Sequence, residues 1–283
     1  ILLIVTAISL MYFKGYALNE IILIISVYTV AGLRIFPVFV AITNAYQNLN
    51  YSSAAVNRIN EIYEKQNSKT KNGVNNLTFK EKISLENVSY FYGKKQVLNN
   101  ITVEIPKNSF FGITGHSGSG KSTLVDLISG LTNPTSGIIK VDSLNINKLN
   151  KNWTSQIAYV QQKTFIFDTS FIKNITLNHN DEYDEKLLKL SLKISNLENF
   201  VTELSNNINT NLGEFGNKIS GGQQQRIGLA RAIYKNPQVI ILDEGLSNLD
   251  YETKENILER IIDLKNNKTI IYVSHDLDDL KKC

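Results

Sequence analysis

The sequence predicts an α/β fold built on a mainly parallel sheet and preceded by transmembrane α-helices. Three observations carry that reading. Residues 83–273 alternate short apolar stretches of strand length with helical patterns, and such alternation produces a parallel sheet. Residues 1–13 and 18–43 are almost wholly apolar. Finally, Gly115-His116-Ser117-Gly118-Ser119-Gly120-Lys121-Ser122-Thr123 satisfies G-x-x-x-x-G-K-[ST]. It stands between a short apolar strand at 110–114 and the start of a helix at 124–129, the context this pattern requires. The glycines let successive N–H groups converge on phosphate oxygens, and the helix N-terminus adds its dipole. Lys121 can reach β- and γ-phosphates, and the Ser122 hydroxyl can complete a Mg²⁺ shell. A glycine-rich turn opening an ordinary helix is the plainer alternative, and the full pattern in this context disfavours it. The fold is therefore read as a P-loop NTPase.

With 283 residues the chain exceeds one average domain, which predicts two unequal parts. A formal net charge of +4 and a pI near 8.9 are mild, and no basic run is dense enough to argue for nucleic acid. The single cysteine, Cys283, excludes an internal disulfide and fits a reducing compartment. The sequence opens without Met inside an apolar run, so it reads as a fragment cut at both ends.

The opening has neither the basic start nor the cleavage site of a signal peptide. Lys14-Gly15-Tyr16 and Asn19-Glu20 separate the two apolar runs. About 20 apolar residues cross a bilayer core. The expectation is the end of one transmembrane helix, a short external hairpin and one complete transmembrane helix. Between residues 21 and 57 Arg34 alone is formally charged. At membrane depth it either pairs within the bundle, snorkels, or faces a substrate path. Pro37 predicts a kink. Ala55, Ile59 and Ile62 share one face, so the helix is expected to continue out of the membrane. Residues 64–80 lack periodicity and read as a linker. Arg58 and Lys65 suit a cytosolic flank.

Beyond the linker, strands are predicted at 83–88, 97–105, 110–114, 138–141, 157–160, 239–242 and 269–273. Residues 184–204 carry no strand pattern and predict an inserted helical subdomain. Val239-Ile240-Ile241-Leu242-Asp243-Glu244 is a buried strand ending in two acids. Asp243 at its tip can hold Mg²⁺, and Glu244 is placed to polarise an attacking water. Two acids after an apolar strand are often only a cap, but the Lys121 loop makes the catalytic reading stronger. Ser220-Gly221-Gly222 opens a further helix and a second anion-binding N-terminus.

At Ile219-Ser220-Gly221-Gly222-Gln223 the chain resembles the ATP-binding cassette family, whose signature reads [LI]-S-G-G-Q. The resemblance covers residue 83 to the C-terminus. It implies an antiparallel β-subdomain beside the parallel core. It implies that Tyr92 stacks on adenine, that Gln162 touches Mg²⁺ and the attacking water, and that His275 senses the γ-phosphate. Gln161 competes with Gln162 for that register. Ser247-Asn248-Leu249-Asp250 matches a loop usually reading S-A-L-D; Asn248 departs from it and Asp250 is kept. Thr210-Asn211-Leu212-Gly213-Glu214-Phe215-Gly216 resembles the T-x-x-G-E-x-G loop of family exporters, which contacts coupling helices of the membrane domain. A narrower similarity, carried by residues 31–37, 51–52 and 56–59, is to the last membrane helix of bacterial lipid-linked oligosaccharide flippases; there Arg34 would belong to a basic substrate path.

The expected organisation is residues 1–63 as the end of a transmembrane domain, 64–80 as linker and 81–283 as ATP-binding domain. The resemblance implies ATP and Mg²⁺ as ligands and a bacterial inner-membrane exporter. It also implies a second half-transporter chain whose Ser220, Gly221, Gly222 and Gln223 face this chain's Lys121 loop, and a cargo such as a lipid-linked glycan. Peptide or drug export is the competing cargo. A soluble ATPase of DNA repair or translation is disfavoured by the run at 18–43. A degenerate regulatory cassette is disfavoured by Glu244, Gln162 and His275.

Overall fold

The computed structural model describes residues 2–70, 79–178 and 182–283, and the chain divides into two compact units, Ile1–Lys71 and Asn72–Cys283. In the first unit, helix α1 (Leu2–Phe13) turns into helix α2 (Leu18–Thr70). Gly15 makes the turn at φ 82°, and the Ala17 N–H donates to the Glu20 carboxylate at 3.2 Å. The segment Leu18–Tyr63 has a window of mean hydropathy 2.1 and is long enough to cross a membrane. A core helix of a soluble protein would bury such side chains, whereas Ile22, Val27, Leu33, Phe36 and Phe39 are exposed. Hydroxyls on this apolar helix are satisfied internally: Thr29 and Thr43 donate to the Ile25 and Phe39 carbonyls at 2.7 and 2.9 Å. The helix is continuous through Pro37. It also runs on to Thr70, into the stretch expected to be linker, where Glu64, Lys65 and Gln66 are good helix formers. Residues 71–78, the middle of that expected linker, lie outside the described residues.

The second unit holds two sheets. Strands β1 (Lys82–Tyr92), β2 (Lys95–Pro106), β4 (Ser136–Val141) and the short β5 (Leu144–Asn145) form an antiparallel sheet in the order β2-β1-β4-β5. Strands β3 (Phe110–Ile113), β6 (Ile157–Val160), β7 (Val239–Asp243) and β8 (Thr269–Val273) form a parallel sheet in the order β3-β8-β7-β6. The two-residue β5 has too little pattern to be read from sequence. All seven predicted strands are present, with β1 extended to Tyr92.

Helices α3 (Lys121–Ile128) and α4 (Ile146–Thr154) contribute to a core lying between the sheets, with Ile83, Leu85, Ile139, Ile241 and Ile271. Trp153 is fully buried there, donating its indole N–H to the Ile128 carbonyl at 2.8 Å and meeting Phe79 edge-on. Asp142, in the β4–β5 turn, accepts the N–H groups of Lys80, Glu81 and Lys82 at 3.0, 2.8 and 3.1 Å. This fixes the place where the chain enters β1.

Helices α8 (Gly221–Tyr234) and α9 (Tyr251–Asp263) cover the other face of the parallel sheet, over Ile240, Leu242, Ile270 and Tyr272. The helical insertion expected at 184–204 is α6 (Glu185–Ile194) and α7 (Glu198–Glu203); together with α5 (Phe171–Thr176), which lies ahead of that range, they enclose a third core with Ile227 and Ala230 of α8. A last short helix, α10 (Leu277–Leu280), follows β8. Parallel register aligns Ile113 and Asp243 with Val273, and Val160 with Leu242. The loops after β3, β6, β7 and β8 therefore leave from one edge of the sheet, where ligands of open α/β sheets bind.

Candidate nucleotide site

The loop from Gly115 to Gly120 leaves β3 and enters α3. Gly118 and Gly120 have φ of 77° and 93°, which only glycine adopts without strain. Gly120 also has no room for a side chain, since a Cβ there would stand 2.9 Å from Leu98 and 3.1 Å from the Val97 carbonyl. The turn is closed by the Ser119 N–H on the His116 carbonyl at 3.1 Å. Lys121 is 9% exposed, and its ammonium donates to the Gly115 and His116 carbonyls at 2.9 and 3.0 Å. Ser122 is exposed beside it, and Thr123 is buried.

Around this loop stand groups from the neighbouring strands. Asp243 ends β7 and accepts the Tyr159 hydroxyl at 2.9 Å. Burial and then the Asp243 charge raise the Tyr159 pKa. Burial, and secondarily Asp243, also push up the Asp126 carboxyl on α3. Glu244 follows with φ 51°, a left-handed conformation rare outside glycine, its N–H bonded to the Val273 carbonyl at 3.1 Å. His275 joins the two halves: Nε2 lies 2.5 Å from Glu244 Oε1, and Nδ1 lies 3.1 Å from the Gly115 carbonyl. Tyr92, at the end of β1, is exposed and meets Tyr90 edge-on at 4.9 Å between ring centres.

The donor set suits Mg²⁺. Among the described residues no cluster of three or more His, Cys, Asp or Glu side chains is arranged to hold a metal alone. Mg²⁺ usually takes one or two protein oxygens and completes its shell with phosphates and water, which Asp243 and Ser122 could supply.

The 220–223 stretch is organised differently. The Ser220 hydroxyl accepts the Gln223 N–H at 3.2 Å, and the Gln223 side chain accepts the Ser220 N–H at 2.8 Å, a capping box. Its neighbour is the 247–250 loop, since a Cβ at Gly222 would stand 3.2 Å from the Asn248 carbonyl. Asp250 caps α9 by accepting the Thr253 N–H at 2.9 Å, and this bond holds its carboxyl below the usual range. The structure thus gathers the Lys121 loop, Asp243, Glu244 and His275 together. It places Ser220, Gly221, Gly222 and Gln223 beside Asn248 instead. Arg34 is exposed on α2, in the other unit.

Gln225 is the residue that the sequence reading passed over. It is 1% exposed, and its side chain donates to the Gln162 carbonyl at 3.0 Å and Ser247 Oγ at 3.3 Å while accepting the Asn248 N–H at 2.9 Å. Three glutamines in a row hide it, although helical phase puts 225, 229 and 232 on the inward face. Nearby, Phe215 in the 210–216 loop meets Phe165 edge-on at 5.7 Å, and Phe165 meets Phe167 at 4.9 Å, all three exposed.

A family model described as ABC transporter matches residues 98–247. The chain belongs to the ABC transporter family. Its curated relatives include a probable ABC transporter ATP-binding/permease protein of Haemophilus influenzae, 33% identical over 86% of this chain and 44% of the relative. An ATP-dependent lipid A-core flippase of Desulfotalea psychrophila is 35% identical over 72% of this chain and 36% of its own length. An alpha-hemolysin translocation ATP-binding protein of Escherichia coli is 34% identical over 89% of this chain and 36% of its own length. The chain thus spans less than half the length of these ABC relatives. Among solved structures, a bacterial Atm1-family ABC exporter with ATP bound superposes at TM-score 0.69 with 26% identity, covering 75% of this chain and 37% of that one.

Proposed function

We propose that this chain is the ATP-hydrolysing part of an ABC exporter of a bacterial inner membrane, completed by a second half-transporter chain. The observation that carries the reading is the His275 ring, set between Glu244 Oε1 at 2.5 Å and the Gly115 carbonyl at 3.1 Å. One imidazole thereby links an acid at a strand tip to the loop suited to phosphates. In this reading the amides of 115–120 and the Lys121 ammonium take the β- and γ-phosphates, and Tyr92 stacks on adenine. Glu244 accepts a proton from water as the water oxygen bonds to the γ-phosphorus and the bond to the β–γ bridging oxygen breaks. Ser122, Gln162 and Asp243 would hold Mg²⁺, which would supply charge neutralisation on the phosphates. In the same reading Ser220, Gly221, Gly222 and Gln223 close over ATP bound to the other chain; within this chain Gly221 and Gly222 lie against Asn248.

Relatives named for lipid A-core and for hemolysin show that the family motifs are compatible with unlike cargoes. For this chain we place Arg34 on the path of a pyrophosphate-linked lipid, supported by its being the lone formal charge between residues 21 and 57 of α2. The ATPase reading is tested by Glu244→Gln. ATP binding is expected to persist while turnover falls about 100-fold or more; wild-type turnover would remove Glu244 from the base role.

A further inference from the structure

We propose that the Lys254–Asp279 ion pair is a positioning device for hydrolysis, tying the loop that carries His275 to the helix that follows the 247–250 loop. It rests on the ATPase reading above. Asp279 on α10 is 3% exposed, and its Oδ2 collects three donors. These are Lys254 Nζ at 2.7 Å, the Tyr272 hydroxyl at 2.9 Å and Ser274 Oγ at 3.1 Å. Ser274 Oγ in turn accepts the Asp276 N–H at 3.0 Å, and Lys254 reaches the Asp276 carboxylate at 3.3 Å. Ser274 and Asp276 are the chain neighbours of His275 on either side. The backbone that aims the imidazole is therefore gripped from both directions by one network.

The other end of that grip lies on α9. Lys254 stands one turn into this helix, whose N-cap is Asp250. Lys254, Asp279, Ser247, Glu244 and His275 all line one cavity of about 200 Å³. The pair thus adjoins the proposed reacting groups without hydrogen-bonding to Glu244 or His275. Burial depresses the Lys254 ammonium, yet its bonds to Asp279 and Asp276 leave it above the usual lysine value, as a working ion pair requires. Buried ion pairs rarely add net stability over apolar packing, but removing one partner strands a charge. A pair kept here suits a requirement for one arrangement of α9 against the His275 loop.

The test is ATPase kinetics on the purified full-length protein in lipid. Lys254→Met, Asp279→Asn and the double variant are compared with wild type, Lys254→Arg and Glu244→Gln. Each single charge loss is expected to lower kcat about tenfold while KM for ATP moves less than about twofold. The double variant should fall no further than the worse single, and Lys254→Arg should recover most of the rate. Wild-type kcat in folded variants would overturn the proposal. So would a raised KM at unchanged kcat, or a lowered Tm with kcat intact well below it. If Asp279→Asn does not fold, Tyr272→Phe removes one bond to Asp279 and no charge. A kcat loss of about threefold then supports the proposal, and an unaltered kcat overturns it. A wild type without ATPase activity, or a fully active Glu244→Gln, would sink the ATPase reading and this proposal with it.

Discussion

Two loop carbonyls engage the Lys121 ammonium, at 2.9 and 3.0 Å, and hold a positive charge at the mouth of α3. A lysine ammonium carries three donors, so one remains to meet an oxyanion. A charge-assisted bond contributes about 1.5–3 kcal/mol. Lys121→Ala is accordingly expected to weaken nucleotide binding by about tenfold or more, measured by equilibrium titration. Unchanged affinity would remove Lys121 from the phosphate contact. Glu244 presents the opposite economy of design, because its φ of 51° is strained for a side chain with a Cβ. Such conformations persist where the surroundings over-determine them, and here the Val273 carbonyl and the His275 ring both fix the residue.

Helix α8 couples two loops through a single side chain. Gln225 bonds the Gln162 carbonyl, Ser247 and the Asn248 N–H, so the loops after β6 and β7 share one support. Gln225→Ala would leave buried polar groups unsatisfied, at a cost of about 1–3 kcal/mol in folding stability. A lowered Tm together with a lowered kcat is the expected outcome, read by thermal unfolding and ATPase assay; a neutral variant would show the loops to be held elsewhere. The strands and the Lys121 loop were legible beforehand because their signals are local: β-branched runs, glycines at fixed offsets, acids at a strand tip. Gln225 and Tyr159 were not, because the partners of Gln225 lie 22, 23 and 63 residues away and that of Tyr159 lies 84 away. The extension of α2 to Thr70 escaped notice for a different reason, since polar helix formers carry no apolar period.

Across the whole molecule, an apolar helix with exposed side chains and an ATP-binding fold share one chain. In liposomes, the full-length protein is expected to raise its ATPase rate with a polyprenyl-pyrophosphate glycan, about twofold or more, and to lose that response on Arg34→Ala while basal hydrolysis persists. Stimulation by peptides or amphipathic drugs instead would leave export standing and end the lipid-glycan proposal. The anchoring of residues 80–82 on Asp142 bears on how such a machine carries load. Strand β1 is flanked by β2 on one side and β4 on the other, and three amides are clipped to one carboxylate at its entrance. A pull on the chain ahead of Phe79 arrives along β1 as shear, shared by two ladders at once, so tension should move this sheet as one plate before any strand peels from it.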